Sequence, residues 1–248
     1  MTIPRIFTSE DRIKDGRISV SEEVYHKLTR VLRIIPGAKV IFFNGKGTEY
    51  ETRVEKISKK ECICAVIEER RTGVNDETKI TLALGILKKE KMETAIEKAA
   101  ELGVTAILPL MTKRSQVKLT EATIKGKIDR WSKIAAQACA LSRRAFIPSI
   151  STPLTIKELA HSSSHYPTKI VFWEEAHESL RDVLKGIHEQ RSFPVIVVIG
   201  PEGGLCADEI EILRDSGFNT ATFGKYILSA ETAVFTAISL IQYELDMF

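Results

Sequence analysis

The sequence is poor in the residue types that make metal centres and disulfide frameworks. It has four cysteines, two tryptophans and 7% aromatic residues in 248. Cys62, Cys64, Cys139 and Cys206 form no C-x-x-C pair, and no histidine stands at a zinc-like spacing from them. We therefore expect reduced thiols and no metal. No run of about 18 or more uncharged apolar residues exists, so no membrane-spanning helix is expected. The opening MTIPRIF lacks the apolar core of a secretory signal, and a cytoplasmic protein is expected. The five histidines show no catalytic spacing. His161 and His165 flank Ser162-Ser163-Ser164, which reads as a loop.

What is present is ordinary for a globular chain: 44% hydrophobic and 28% charged residues. The net charge of +3 hides an asymmetry. Residues 1–72 carry +4, residues 73–144 carry +6 and residues 145–248 carry −7. Segregation of sign points to an anionic partner held by the first two thirds.

Residues 1–72 read as β-rich. A capped helix is predicted over 21–33, with Arg30 and Arg33 suiting its last turn. Strands follow at Lys39–Phe43, Tyr50–Ile57 and Cys62–Glu68, the first two joined by the turn Asn44-Gly45-Lys46-Gly47. Short strands with tight turns suggest a small barrel. The polar stretch 70–78 is the linker candidate. From residue 73 strands alternate with helices. Strands are predicted at Ile80–Leu87, Val104–Leu110, Lys169–Trp173, Val195–Ile199 and Thr220–Phe223. Helices are predicted at Glu90–Leu102, Glu121–Leu141, Leu180–Ile187, Ala207–Asp215 and Glu231–Met247. This is the rhythm of an α/β domain with a largely parallel, covered sheet. Its ligands bind beyond the carboxyl ends of the strands.

One such end carries Gly200-Pro201-Glu202-Gly203-Gly204. A Walker loop needs Lys-Ser/Thr after its last glycine, and Leu205-Cys206 stands there; a dinucleotide loop needs G-x-G-x-x-G. Glu202, Asp208, Glu209 and Glu211 crowd the helix start that would attract a phosphate. Two readings stand: a tight turn using glycine's backbone freedom, or a cradle for a ligand without phosphate, for which S-adenosylmethionine is suited. The next strand ends in a partner loop, Phe223-Gly224 to Ala233, able to close over the same flat ligand.

These residues carry a resemblance. Ile199 to Gly204 with Asp208-Glu209-Ile210, then Phe223-Gly224, Ile227-Leu228 and Glu231-Thr232-Ala233, resemble the SPOUT class of methyltransferases. More narrowly they are similar to the bacterial 16S ribosomal RNA uridine-N3 methyltransferases. Leu87-Lys88, Lys91-Met92-Glu93, Glu101-Leu102-Gly103-Val104, Pro109, Arg114-Ser115, Val117-Lys118, Trp131, Arg144, Pro148, Arg30 to Arg33 and Gly37 agree in order. The resemblance implies a trefoil α/β knot over 73–248, preceded by a PUA-like barrel over 1–72 that holds RNA. It implies S-adenosylmethionine as cofactor, on Ile199, Gly200, Pro201, Glu202, Gly203, Phe223, Gly224, Ile227, Leu228, Ala230 and Thr232. It implies a homodimer acting on 16S ribosomal RNA within the 30S subunit. Arg114 and Glu231 are the candidate catalytic residues. Arg30, Arg33, Lys88, Lys91 and Arg144 are the candidate RNA contacts.

The sequence departs from the family at three places. Ser229 stands where an arginine is usual, Leu141 where a glutamine is usual, and Cys206, a poor helix cap, where Ser or Thr is frequent. Two further activities therefore stay open: transfer to a ribose 2′-hydroxyl, or a degenerate fold kept for RNA binding in ribosome assembly.

Overall fold

The computed structural model describes residues 3–59, 61–72, 79–117, 119–190 and 193–244. The chain forms two compact units. One comprises Met1–Val74 and Ala136–Ile147; the other comprises Asn75–Ala135 and Pro148–Phe248. The first unit is thus discontinuous, whereas the sequence suggested two continuous blocks. The expected linker lies mostly at 73–78, outside the described residues, and Arg70 and Arg71 belong to a strand instead.

In the first unit six strands pair. They are β1 (Arg5–Phe7), β2 (Ile13–Lys14), β3 (Arg17–Ser19), β4 (Lys39–Phe43), β5 (Thr48–Ile57) and β6 (Cys62–Arg71), in the order β1-β4-β5-β6-β3-β2. Only β1–β4 is parallel among these pairs. Alternation of apolar residues in β5 buries Tyr50 and Val54 against Ile6, Ile18, Leu28, Val40 and Phe42. The predicted helix begins as α1 (Glu22–His26), with Ser21 Oγ accepting from Val24 N–H. It then widens into a π-type turn over Lys27–Val31. Arg33 has a φ of 50°, so the helix stops two residues short of its predicted end. Arg30 and Arg33 are exposed in this unit.

The second unit is a parallel sheet covered by helices. Its strands are β7 (Ile80–Gly85), β8 (Ala106–Met111), β9 (Ser149–Ile150), β10 (Leu154–Thr155), β11 (Thr168–Phe172), β12 (Val195–Ile199) and β13 (Asn219–Ala221). The order is β10-β8-β7-β12-β11-β13, with β9 also on β8, and every pair is parallel. All five residues of β12 are buried, as a central strand covered on both faces requires. The helices are α2 (Lys89–Glu101), α3 (Glu121–Leu141), α4 (Ile156–Ser162), α5 (Leu180–Gln190), α6 (Ala207–Asp215) and α7 (Ala230–Glu244). The last residues of α3 count with the first unit. The residues after Glu244, to which the predicted final helix extended, lie outside the described ones.

One expectation is overturned. The serine stretch around His161 is not a loop: α4 runs through Ser162, and Ser163–His165 add a tight helical turn. The helix forms because Thr155 and Glu158 make a reciprocal cap. Thr155 Oγ1 accepts from Glu158 N–H at 3.3 Å, and Glu158 Oε2 accepts from Thr155 N–H at 2.7 Å. Ile156 and Leu159 then reach the core with Val198, Ile210 and Leu213.

Candidate functional site

The strand order places β12 between β7 and β11, and β11 beside β13. Their carboxyl ends lie together, where a parallel sheet opens a crevice. A cavity of about 420 Å³ occupies this place. Phe172, Ile199 and Ala221 form its floor at the three strand ends, and the loops 200–205 and 222–229 form its walls.

Close backbone approach builds the first wall. A Cβ on Gly85, at the end of β7, would sit 2.4 Å from Pro201 N, so the loop lies directly on that strand end. A Cβ on Gly203 would sit 3.1 Å from Arg114 Cβ. Arg114 Nη1 donates to Gly203 O at 3.0 Å, which fastens the loop after β8 to the glycine loop. Glu202 turns toward α2, where its Oε1 accepts from Lys88 N–H at 3.1 Å. Lys88 precedes a helix that lacks a side-chain cap of its own, so the carboxylate satisfies a free donor there.

The second wall is apolar: Phe223, Tyr226, Ile227, Leu228 and Ala230. The rings of Phe223 and Phe172 are stacked at 4.1 Å, 3° from parallel. Ser229 caps α7. Its Oγ lies 3.0 Å from Thr232 Oγ1 and 3.4 Å from Thr232 N.

Of the residues expected at the cofactor, Ile199, Gly200, Pro201, Glu202, Gly203, Phe223, Ile227, Leu228 and Ala230 line the cavity. Gly224 and Thr232 are not among the lining residues. Gly224, at a φ of 98°, makes the turn beside Thr222, and Thr232 pairs with the cap. Lys91, expected at RNA, lines the cavity, and its Nζ lies 3.7 Å from Glu231 Oε1. Glu231, paired with Lys91, is not among the lining residues. Its Oε2 is buried without a hydrogen-bond partner among the described residues. Arg114 is exposed and is not among the lining residues. Arg30, Arg33 and Arg144 belong to the first unit and Lys88 and Lys91 to the second. Arg144 is half-buried, and burial lowers its guanidinium pKa.

Sequence reasoning missed Phe172, Trp173, Glu174 and Thr222. They end or follow β11 and β13 with no motif to mark them; only the strand order brings them in. Cys206 was read as a poor cap. In the structure Cys206 is the residue before α6, and Glu209 makes the other half of a cap, its Oε2 accepting from Cys206 N–H at 2.9 Å, while Glu209 N–H finds the Cys206 carbonyl at 3.0 Å.

The lining fits an uncharged ring with a cationic tail. Apolar faces and glycine backbone surround a flat space, and two carboxylates, Glu174 and Glu202, stand against one cation, Lys91. That set repels a pyrophosphate and suits a sulfonium and an ammonium. Among the described residues no group of three or more His, Cys, Asp and Glu is arranged to hold a metal. Among them, too, no helix is long and apolar enough to cross a membrane.

Comparison with known proteins agrees with this geometry. Residues 74–242 match the model of the RNA methyltransferase domain, and residues 20–67 match that of the RNA methyltransferase PUA domain. The chain is 30% identical to the ribosomal RNA small subunit methyltransferase E of Bacillus subtilis, over 92% of this chain and 91% of that one. Its fold is similar to a Legionella pneumophila methyltransferase solved with bound SAM, with a TM-score of 0.87, 29% identity and 98% of each chain covered. A ribosomal RNA small subunit methyltransferase E from Neisseria gonorrhoeae, solved with S-adenosyl methionine, gives a TM-score of 0.85 at 27% identity, again over 98% of each chain.

Proposed function

The chain belongs to the RNA methyltransferase family, alongside the ribosomal RNA small subunit methyltransferases E, and from that premise we propose that it methylates N3 of a uridine in 16S ribosomal RNA. The observation that carries the reading is the cavity at the ends of β11, β12 and β13, walled by two glycine-containing loops and lacking a phosphate cradle. S-adenosylmethionine, when bound there, supplies a methyl group on a positively charged sulfur.

The chain's own residues then have distinct tasks. Ile199, Phe223, Ile227, Leu228 and Ala230 exclude water from the cavity. The backbone of Gly200, Pro201 and Gly203 offers hydrogen-bonding groups without side-chain bulk. Glu174 offsets positive charge. Uracil N3 carries a proton, and transfer to it needs that proton removed or the resulting anion stabilised. Lys91 is the cation that faces the anion, and Glu231 beside it is the acceptor for the proton. Arg114, held by Gly203 O, reaches outward for RNA, and the exposed Arg30 and Arg33 give the first unit a basic surface. Positioning two bound partners in line supplies most of the acceleration. N3 lies on the pairing edge, so the target nucleotide is unpaired or turned out of its helix.

Two further points belong to this proposal. The second unit is proposed to follow the knotted path that the family resemblance implies; the packing of α7 on α2 after the loop 222–229 supports this reading. The protein acts as a homodimer on the 30S subunit. Supporting the dimer, Tyr226 and Ile227 by the cavity, and Leu240 and Tyr243 on α7, are large apolar side chains left exposed.

The test is incubation with tritiated S-adenosylmethionine and 30S subunits lacking the endogenous methylation, followed by nucleoside separation. Label is expected in N3-methyluridine. Label in a 2′-O-methyl nucleoside, or none while cofactor binds, would overturn the assignment of the target atom.

A further inference from the structure

Glu209 is a carboxylate with 4% of its surface exposed, in the first turn of α6. A buried carboxylate must find donors for both oxygens or be costly. Its two donors come from different segments. Oε2 accepts from Cys206 N–H at 2.9 Å, at the end of the glycine loop. Oε1 accepts from Lys113 N–H, also at 2.9 Å, in the loop after β8. The neighbouring side chains repeat the connection outside: Lys113 Nζ is paired with Asp208. The next residue along is Arg114, whose guanidinium holds Gly203 O at 3.0 Å. The loop after β8 also fixes its own shape, Thr112 Oγ1 lying 2.9 Å from Ser115 Oγ.

Three attachments therefore join two loops that do not touch in sequence. Two of them, the Lys113–Asp208 ion pair and the Arg114 bond, are made by exposed side chains, and such contacts are individually weak. The third is buried and charge-assisted at both ends, and bonds of that kind are the strong ones. It is also the one with no substitute, since a lost acceptor leaves a backbone N–H unpaired.

We propose that Glu209 is a positioning residue that locks the loop carrying Arg114 onto the glycine loop, so that one carboxylate sets both the cofactor wall and the placement of Arg114. This deepens the reading of the cavity as a cofactor site and rests on it. Glu209 does not touch the cavity. It acts through Cys206, whose neighbour Leu205 lines the cavity, and through Lys113, whose neighbour is Arg114.

The experiment compares Glu209→Gln with Glu158→Gln. Glutamine keeps the shape of Glu209 but turns one acceptor into a donor, so one of the two N–H groups must face an N–H. Glu158 makes a helix cap of the same chemistry on α4, away from the cavity, and controls for loss of a cap. S-Adenosylmethionine binding is measured by calorimetry, alongside single-turnover methylation of 30S subunits at saturating cofactor. Glu209→Gln is expected to raise the cofactor Kd about tenfold or more and to slow the single turnover, while Glu158→Gln lowers Tm alone. A Glu209→Gln protein with unchanged Kd and turnover, whatever its Tm, would sink the proposal.

Should Glu209→Gln not fold, amide hydrogen exchange of the unaltered protein decides. Saturating cofactor should slow exchange at Lys113 and Cys206 together. Protection of the glycine loop with Lys113 unchanged would show that the loops are not coupled. Cofactor binding and exchange do not depend on the RNA target, so they answer even if methylation of uracil fails.

Discussion

At the residue scale the cavity depends on side chains that are missing. Gly85 ends a strand whose residues are all buried, and the backbone nitrogen of Pro201 lies 2.4 Å from where its Cβ would stand. A clash with backbone cannot be relieved by a rotamer change, so the whole loop 200–205 must move. Overpacking of this kind costs about 1–3 kcal/mol in a close-packed interior. Gly85→Ala should therefore weaken S-adenosylmethionine binding about tenfold or more, with a smaller proportional effect on Tm. Calorimetry against thermal unfolding checks it. Ser229 belongs to this scale too. It stands where the family resemblance leads one to expect an arginine, and its hydroxyl caps α7 through Thr232. Lys91 is the cation that the cavity does have.

At the scale of the element, helix ends decide what the chain does locally. Periodicity does not reveal α4, because its seven residues follow a two-residue strand and run into the three serines Ser162 to Ser164. Yet Thr155-x-x-Glu158 is a capping-box sequence, and it was the available signal. Glu158 has its pKa held below the ordinary 4.5 by hydrogen bonds from the Thr155 backbone and side chain. A depressed carboxylate pKa contributes stability above 4.5 that is lost as pH falls through the lowered value. Thr155→Ala should lower Tm by about 2–4 °C at neutral pH. The difference from the unaltered protein should shrink as the pH is taken below that of the Glu158 carboxyl. Thermal scans from pH 7 to pH 2.5 would test both, and a difference that grows in acid would contradict the account. α6 is capped in a related way, but its carboxylate is shared with another loop. The same local rule there has a tertiary consequence.

At the scale of the whole molecule the charge asymmetry and the exposed apolar residues point in different directions. The first 144 residues are basic and the last 104 acidic, which agrees with RNA held by one part and a cationic cofactor by the other. Tyr243, 72% exposed on α7, has no such use as a side chain of a monomer, and Ile227, a cavity wall, is left 87% exposed. Leu240 and Tyr243 stand three apart on α7 and share a face. If the proposed homodimer buries this face, Tyr243→Glu should convert it to a monomer in light scattering after size exclusion. Because Ile227 both lines the cavity and is exposed, the monomer should also bind cofactor more weakly. A variant that stays dimeric would remove α7 from the interface.

The sequence by itself determined the longer elements and the chemistry of the loops. The predicted bounds of α3, β12 and α6 coincide with those observed, because hydrophobic period and flanking glycine or polar residues are local properties. The absence of a phosphate motif in Gly200–Gly204 was equally local, and so was the run of carboxylates after it. Tertiary structure alone decided which strand ends meet. Phe172, Trp173 and Glu174 enter the cavity because β11 lies between β12 and β13, an order that no residue of β11 encodes by itself. It also decided that Lys91 faces the cavity, that the chain at Ala136–Ile147 belongs with the first unit, and that Glu209 holds Lys113. These are contacts between residues 96 apart or more in some cases, and they depend on the packing of whole elements. Periodicity reports which face of an element is buried, but not what it is buried against.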